Sequence, residues 1–111
     1  MSLDILDPEL EAIFDALGDR TRRLIIKKLE LGSLPVVEIA RDMPVARPAI
    51  SQHLKILKDA GLVSERAVGT RRLYRLNPSA VAALRDQLDT FWQRALASYV
   101  DAAEQATEES P

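Results

Sequence analysis

The stretch RPAISQHLKILK, residues 47 to 58, sets Arg47, Ser51, Gln52 and Lys55 at steps that share one side of a helix, opposite Ile50, Leu54 and Leu57. The chemistry open to that polar side is recognition rather than bond-making. Guanidinium and ammonium groups meet phosphates, and a carboxamide such as Gln52 pairs bidentately with adenine while Ser51 reaches a base edge by its hydroxyl. Further on, GTRRLYRL brings Arg71 and Arg72 to what reads as the tip of a hairpin. Arg66 and Arg75 read as wing surface, and Tyr74 as core. No serine, aspartate or glutamate stands in a nucleophile or acid–base arrangement, and 4 glycines build no phosphate loop, so no enzyme is expected. Cysteine is absent and His53 is the only histidine. A closed metal site takes about four ligands, so neither a metal nor a cofactor is expected.

The elements that position these residues follow from caps and periods. Asp7 before Pro8 starts a helix in which Leu10, Ile13, Phe14 and Leu17 recur, and Gly18 stops it. Asp19 caps the next, where Leu24, Ile25 and Leu29 line one face and Arg23 and Lys27 turn away. A short helix from Val36 to Asp42 buries Val36, Ile39 and Ala40, and MPVA makes a turn. The helix carrying the polar side has Pro48 in its first turn and ends at Gly61, which suits a left-handed backbone. Its N-cap, Ala46, is a poor one. The period then changes to two. Leu62 to Ala67 and Arg71 to Leu76 read as strands joined through Val68, Gly69 and Thr70. Asn77 and Pro78 open a last helix of about 28 residues, roughly 40 Å long. Its apolar positions, among them Leu84, Leu88, Phe91, Trp92, Ala95, Leu96 and Tyr99, are spaced like a coiled-coil seam.

Charge is uneven along the chain. Its net value is −2, yet residues 41 to 75 hold 8 basic and 3 acidic side chains, between two acidic ends. A basic middle points to one surface built for an anion. No apolar run reaches the roughly 20 residues that span a bilayer, and the acidic start is unlike a signal peptide. The expected location is the cytoplasm.

Helix, helix, helix, turn, helix, hairpin, long helix is the order of a mostly α winged helix-turn-helix with about five helices and a two-stranded β-hairpin. Within residues 14 to 80, LGDRTRRLII, VVEIARDM, AISQHLKILKDAGLV and GTRRLYRLNP resemble the ArsR/SmtB family of bacterial winged-helix repressors. The resemblance implies a homodimeric, sequence-specific repressor on a pseudo-palindromic double-stranded operator, autoregulatory and close to the metal-independent SdpR type, since the usual cysteine and histidine ligands are missing. It implies DNA contacts at Arg47, Pro48, Ser51, Gln52, His53, Lys55, Arg71 and Arg72. It also implies a dimer interface at Leu10, Phe14, Leu84, Leu88, Phe91, Trp92, Ala95, Leu96 and Tyr99. The expected organisation is one domain over 1–111: a dimer helix at 1–18, the DNA-binding core and wing at 19–76, a dimerisation helix at 77–106 and a frayed tail at 107–111. Two other readings stay open: a sensor with an effector, of unknown identity, among the dimer helices, and a winged-helix interaction module without DNA binding.

Overall fold

The structure, a computed structural model, describes residues 8–109. Asp7, the expected cap of the first helix, lies outside them. Five helices and three short strands follow in the order α1 (Pro8–Ala16), α2 (Arg20–Leu29), β1 (Leu34–Pro35), α3 (Val36–Ala40), α4 (Arg47–Asp59), β2 (Val63–Val68), β3 (Arg71–Leu76) and α5 (Pro78–Glu109). Residues up to Val81 form one compact unit and those from Ala82 a second.

In the first unit α4 packs against α1, α2 and α3. Ile25 of α2, Ile39 of α3, and Ile50, Leu54 and Leu57 of α4 are fully buried, with Leu62 behind them. The three α4 residues are those the sequence turns inward. In α3 only Ile39 is fully buried; Val36 and Ala40 are half-covered because the helix is a single turn and a half that ends at Ala40, not Asp42. Asp42 takes a left-handed backbone, φ 59°, and turns the chain toward α4. A short polar side chain accepts that region more readily than most.

The caps explain the helix starts. The Asp19 side chain accepts from the Arg22 amide at 3.0 Å. Asn77 Oδ1 accepts from the Ser79 amide at 3.2 Å, and its Nδ2 donates to the Gly61 carbonyl at 3.0 Å, tying the start of α5 to the end of α4. Basic residues of α2 satisfy carbonyls at other helix ends. Arg22 Nε donates to Ala16 O at 2.6 Å and Arg23 to Leu17 O at 2.8 Å. Lys28 reaches the carbonyls of Ile39 and Arg41. Gly61 is left-handed, φ 83°, as its place after α4 requires.

The sheet contains the expected two-stranded hairpin and adds a third strand, β1, to it. Its order is β1-β3-β2, with Leu34 opposite Tyr74 and Pro35 opposite Leu73. A two-residue strand leaves no period to read, and Pro35 lacks the amide a strand normally offers, which confines it to an edge. The hairpin itself pairs Val63–Val68 with Arg71–Leu76, one residue later on the first strand than the sequence indicates. Direct partners share a face, so Glu65, Tyr74, Ala67 and Arg72 lie on one side, and Ser64, Arg66, Val68, Arg71, Leu73 and Arg75 on the other.

In the second unit, α5 continues through Glu109, past the point at which a frayed tail was expected to begin. Phe91, Trp92, Leu96 and Tyr99 are more than half exposed, and the Phe91 and Trp92 rings meet edge-on at 5.9 Å.

Leu54 is 1 % exposed at the centre of the helical core. Leu54→Ala should cost about 2–5 kcal/mol through lost burial and a residual cavity. Urea denaturation measures this, and a loss below about 1 kcal/mol would show that the core closes around the gap.

Candidate nucleic-acid interface

The outward side of α4 follows from its inward one. With Ile50, Leu54 and Leu57 buried, Arg47, Pro48, Ser51, Gln52 and Lys55 are all exposed. Ala46 gives no side-chain cap. Arg47 therefore adds a cation to a helix start that is already positive, a placement that opposes folding by a few tenths of a kcal/mol and favours an incoming anion. Ile56, 43 % exposed beside Gln52 on this helix, was absent from the sequence reading. It offers an apolar surface of the kind that meets a thymine methyl. The signal for it was an apolar residue off the buried stripe.

His53 sits differently from its neighbours. Its side chain is 21 % exposed, with Nδ1 4.0 Å from Asp19 Oδ1 and 3.4 Å from Arg22 Nη1. Arginine only donates, so a hydrogen bond there needs an unprotonated Nδ1. The ring thus joins α4 to the capped start of α2, whose Arg22 also reaches the Ala16 carbonyl at the end of α1.

The cations of the interface separate by their partners. Lys55 lies 3.4 Å from Asp59, an exposed pair in the weaker lysine-first order, worth little in water. Arg72 and Lys58 both pair with Glu65, at 3.2 and 2.5 Å. Arg75 Nε donates to Ser64 Oγ at 3.4 Å. Arg47, Arg66 and Arg71 have no ion-pair partner among the described residues. Of the expected wing contacts, then, Arg71 stands clear and Arg72 is held, on opposite faces of the hairpin. The acids Asp59 and Glu65 were not weighed in the sequence. Asp59 is legible as an i,i+4 partner, whereas Glu65 needs the strand register and the packing of α4.

Glu65 is held below the ordinary carboxylate value of 4.5, first by the Lys58 hydrogen bond, against burial, then by the Tyr74 hydroxyl and Arg72. Tyr74 is raised in turn by its burial and by Glu65. Asp19 is lowered from 3.8, chiefly by the Arg22 amide. Among the described residues no three His, Cys, Asp or Glu side chains gather as a metal site, and no helix is long and apolar enough to cross a membrane.

A buried three-helix core, a helix-turn-helix whose second helix turns a polar side outward, and a cationic hairpin define a winged helix-turn-helix protein. Comparison with known sequences and structures agrees. The profile described as "Bacterial regulatory protein, arsR family" matches residues 19–65. The chain is 58% identical to the HTH-type transcriptional regulator Rv2034 of Mycobacterium tuberculosis, over 78% of this chain and 80% of that one. It is 36% identical to the transcriptional repressor SdpR of Bacillus subtilis, over 62% and 77%. Among solved structures, the homodimeric winged helix-turn-helix DNA-binding domain of Mb0332 from Mycobacterium bovis superposes with TM-score 0.63 at 30% identity, covering 79% of this chain and 82% of that one. The protein belongs to the ArsR family of transcriptional regulators.

Both lowered carboxylates give stability that is present above their ordinary values and lost as pH falls through the folded ones. Asp19→Asn should melt below the wild type at pH 7, and the gap should shrink as pH drops below about 3.8. Melting curves at pH 7, 5, 4 and 3 decide this; a gap that widens in acid would contradict the assignment.

Proposed function

We propose that the chain is a homodimeric, sequence-specific repressor that holds operator DNA through α4 and the wing, acts on its own operon, and does so without a metal. The observation that carries the reading is the outward side of α4: an uncapped positive helix start bearing Arg47, followed by exposed Ser51, Gln52 and Lys55 over a fully buried apolar stripe. A helix about 10–12 Å across fits a major groove about 12 Å wide. Arg47 and Arg71, with Arg66 beside the latter on the hairpin, position the protein on phosphates, and Ser51 and Gln52 read bases. Pro48, His53 and Lys55 complete the contact surface, Lys55 by leaving a weak pair, whereas Arg72 is engaged by Glu65.

The second chain has a place prepared. Leu84, Leu88, Phe91, Trp92, Ala95, Leu96 and Tyr99 of α5, with Leu10 and Phe14 of α1, form the dimer faces in this reading, and the homodimeric Mb0332 domain supports it. Absence of cysteine and a single histidine support metal independence. The SdpR likeness supports repression.

Genome-wide recovery of bound fragments, with the region upstream of the chain's own reading frame checked first, identifies the operator. The three arginines of α4 and the wing that lack an ion-pair partner, with Lys55 released from Asp59, then imply about 6–8 phosphates per dimer and a log–log salt slope of roughly −5 to −7. Arg71→Ala should weaken binding to all duplexes alike and flatten the slope by about 2 per dimer. Gln52→Ala should cost about 1–3 kcal/mol per half-site on the operator and leave the slope nearly unchanged. Fluorescence anisotropy against operator and scrambled DNA separates the two, and one equivalent of zinc should alter neither. Equal losses on both DNAs from both substitutions would refute the division of labour.

Sedimentation at micromolar concentration should show a dimer, and Leu88→Asp or Leu96→Asp should shift it toward monomer. A compact monomer indifferent to both substitutions would reject the α5 interface.

A further inference from the structure

One acid sits among the cations of the interface in a way the DNA reading does not use. Glu65 lies on β2, its side chain 18% exposed, between Lys58 at the last turn of α4 and Arg72 on β3. The Tyr74 hydroxyl also bonds it. Its carboxylate takes from both cations the charge-assisted bonds that a phosphate oxygen would take. The two cations are themselves well exposed, with side-chain exposures of 48% for Lys58 and 69% for Arg72. Their outer atoms can therefore exchange one anion for another by side-chain rotation, with α4 and the hairpin left in place.

We propose that Glu65 is a specificity-determining residue: an internal competitor for DNA phosphate that holds Lys58 and Arg72 back from non-cognate duplexes. The inference rests on the DNA-binding reading above. Non-specific affinity is almost wholly phosphate neutralisation, whereas cognate affinity adds base contacts. An acid that removes two cations per protomer from the phosphate count therefore lowers non-specific binding more than cognate binding. Arg71 and Arg66, on the opposite hairpin face, stay available to every sequence. A brace that only fixed the wing against α4 would use the same bonds, but its removal would change DNA binding with the opposite sign.

Glu65→Gln separates the two, because the amide keeps an oxygen for the Tyr74 hydroxyl and removes only the charge. The full chain is titrated with a random-sequence duplex and with the recovered operator across a salt series, with melting curves as a check on folding. Binding to the random duplex should tighten about tenfold at low salt, the operator should gain less, and the random-duplex slope should steepen by about 3–4 per dimer, two more phosphates for each copy. Arg72→Ala in the presence of Glu65 should change the slope by less than about 0.5, and combined with Glu65→Gln it should remove about half of the gain. If Glu65→Gln weakens both duplexes with an unaltered slope, Glu65 is a brace and the proposal fails. If Arg72→Ala alone flattens the slope as much as Arg71→Ala, Arg72 already meets phosphate, and the proposal fails whether or not the Gln variant folds. A wild-type chain that binds no duplex even at low salt would instead overturn the DNA reading beneath it.

Discussion

The rotation of α4 about its own axis is the constraint on which the rest of the structure depends. Ile50, Leu54 and Leu57 are buried against α2 and α3, and a turn of the helix by one position would expose them and bury Ser51, Lys55 and Lys58. Burying a leucine or isoleucine is worth about 1.5–3 kcal/mol, and burying an unpaired lysine costs several, so no other rotation competes. His53 adds a polar restraint on the same side, through Asp19 and Arg22. What α4 presents outward is thus fixed by what it hides, and a rigid helix is a better reader than a loop.

Cations in this fold have three different employments. Arg22, Arg23 and Lys28 close helix ends through carbonyls. Lys58 and Arg72 are paired to Glu65, and Lys55 to Asp59. Arg47, Arg66 and Arg71 have no ion-pair partner among the described residues, which is what leaves them open to an external anion in the reading proposed above. The excess of basic residues between 41 and 75 is therefore a poor count of phosphate contacts by itself. Only partners, distances and faces of the hairpin turn it into one.

Much of the architecture was legible because its signals are local. Asp19 and Asn77 are capping residues followed by helical spacing, Gly61 stands where a left-handed residue must, and the stripe of α4 has the helical period. The parts that were not legible depend on partners distant in sequence. β1 exists because Leu34 and Pro35 meet Tyr74 and Leu73, about 40 residues away. The Glu65 cluster needs the β2–β3 register and the end of α4 at once. The end of α3 was misplaced because Asp42 reads as a helix residue and instead takes a left-handed turn. For the candidate interface, residue types marked out α4 and the hairpin, but only the fold separated Arg71 from Arg72 and turned His53 toward α2.

The acidic balance of the whole chain, pI ≈ 5.4, does not oppose a role on DNA. Charges on a solvated surface are screened beyond about 8 Å at physiological salt, so an acid farther than that from α4 adds little to the field there. Acids in direct contact act with nearly full strength. Asp59 and Glu65 are the two that touch cations of α4 and the wing, and they differ in grip. Asp59 faces water with a single partner, so its hold on Lys55 is weak and yields to a phosphate. Glu65 is mostly covered and has three partners, so its hold is firm. The same number of basic residues spread over a neutral hairpin would bind any duplex more tightly. In the reading proposed above, setting one covered acid among them lowers that background while leaving the outward side of α4 untouched, and an acidic protein would keep a selective grip on DNA in this way.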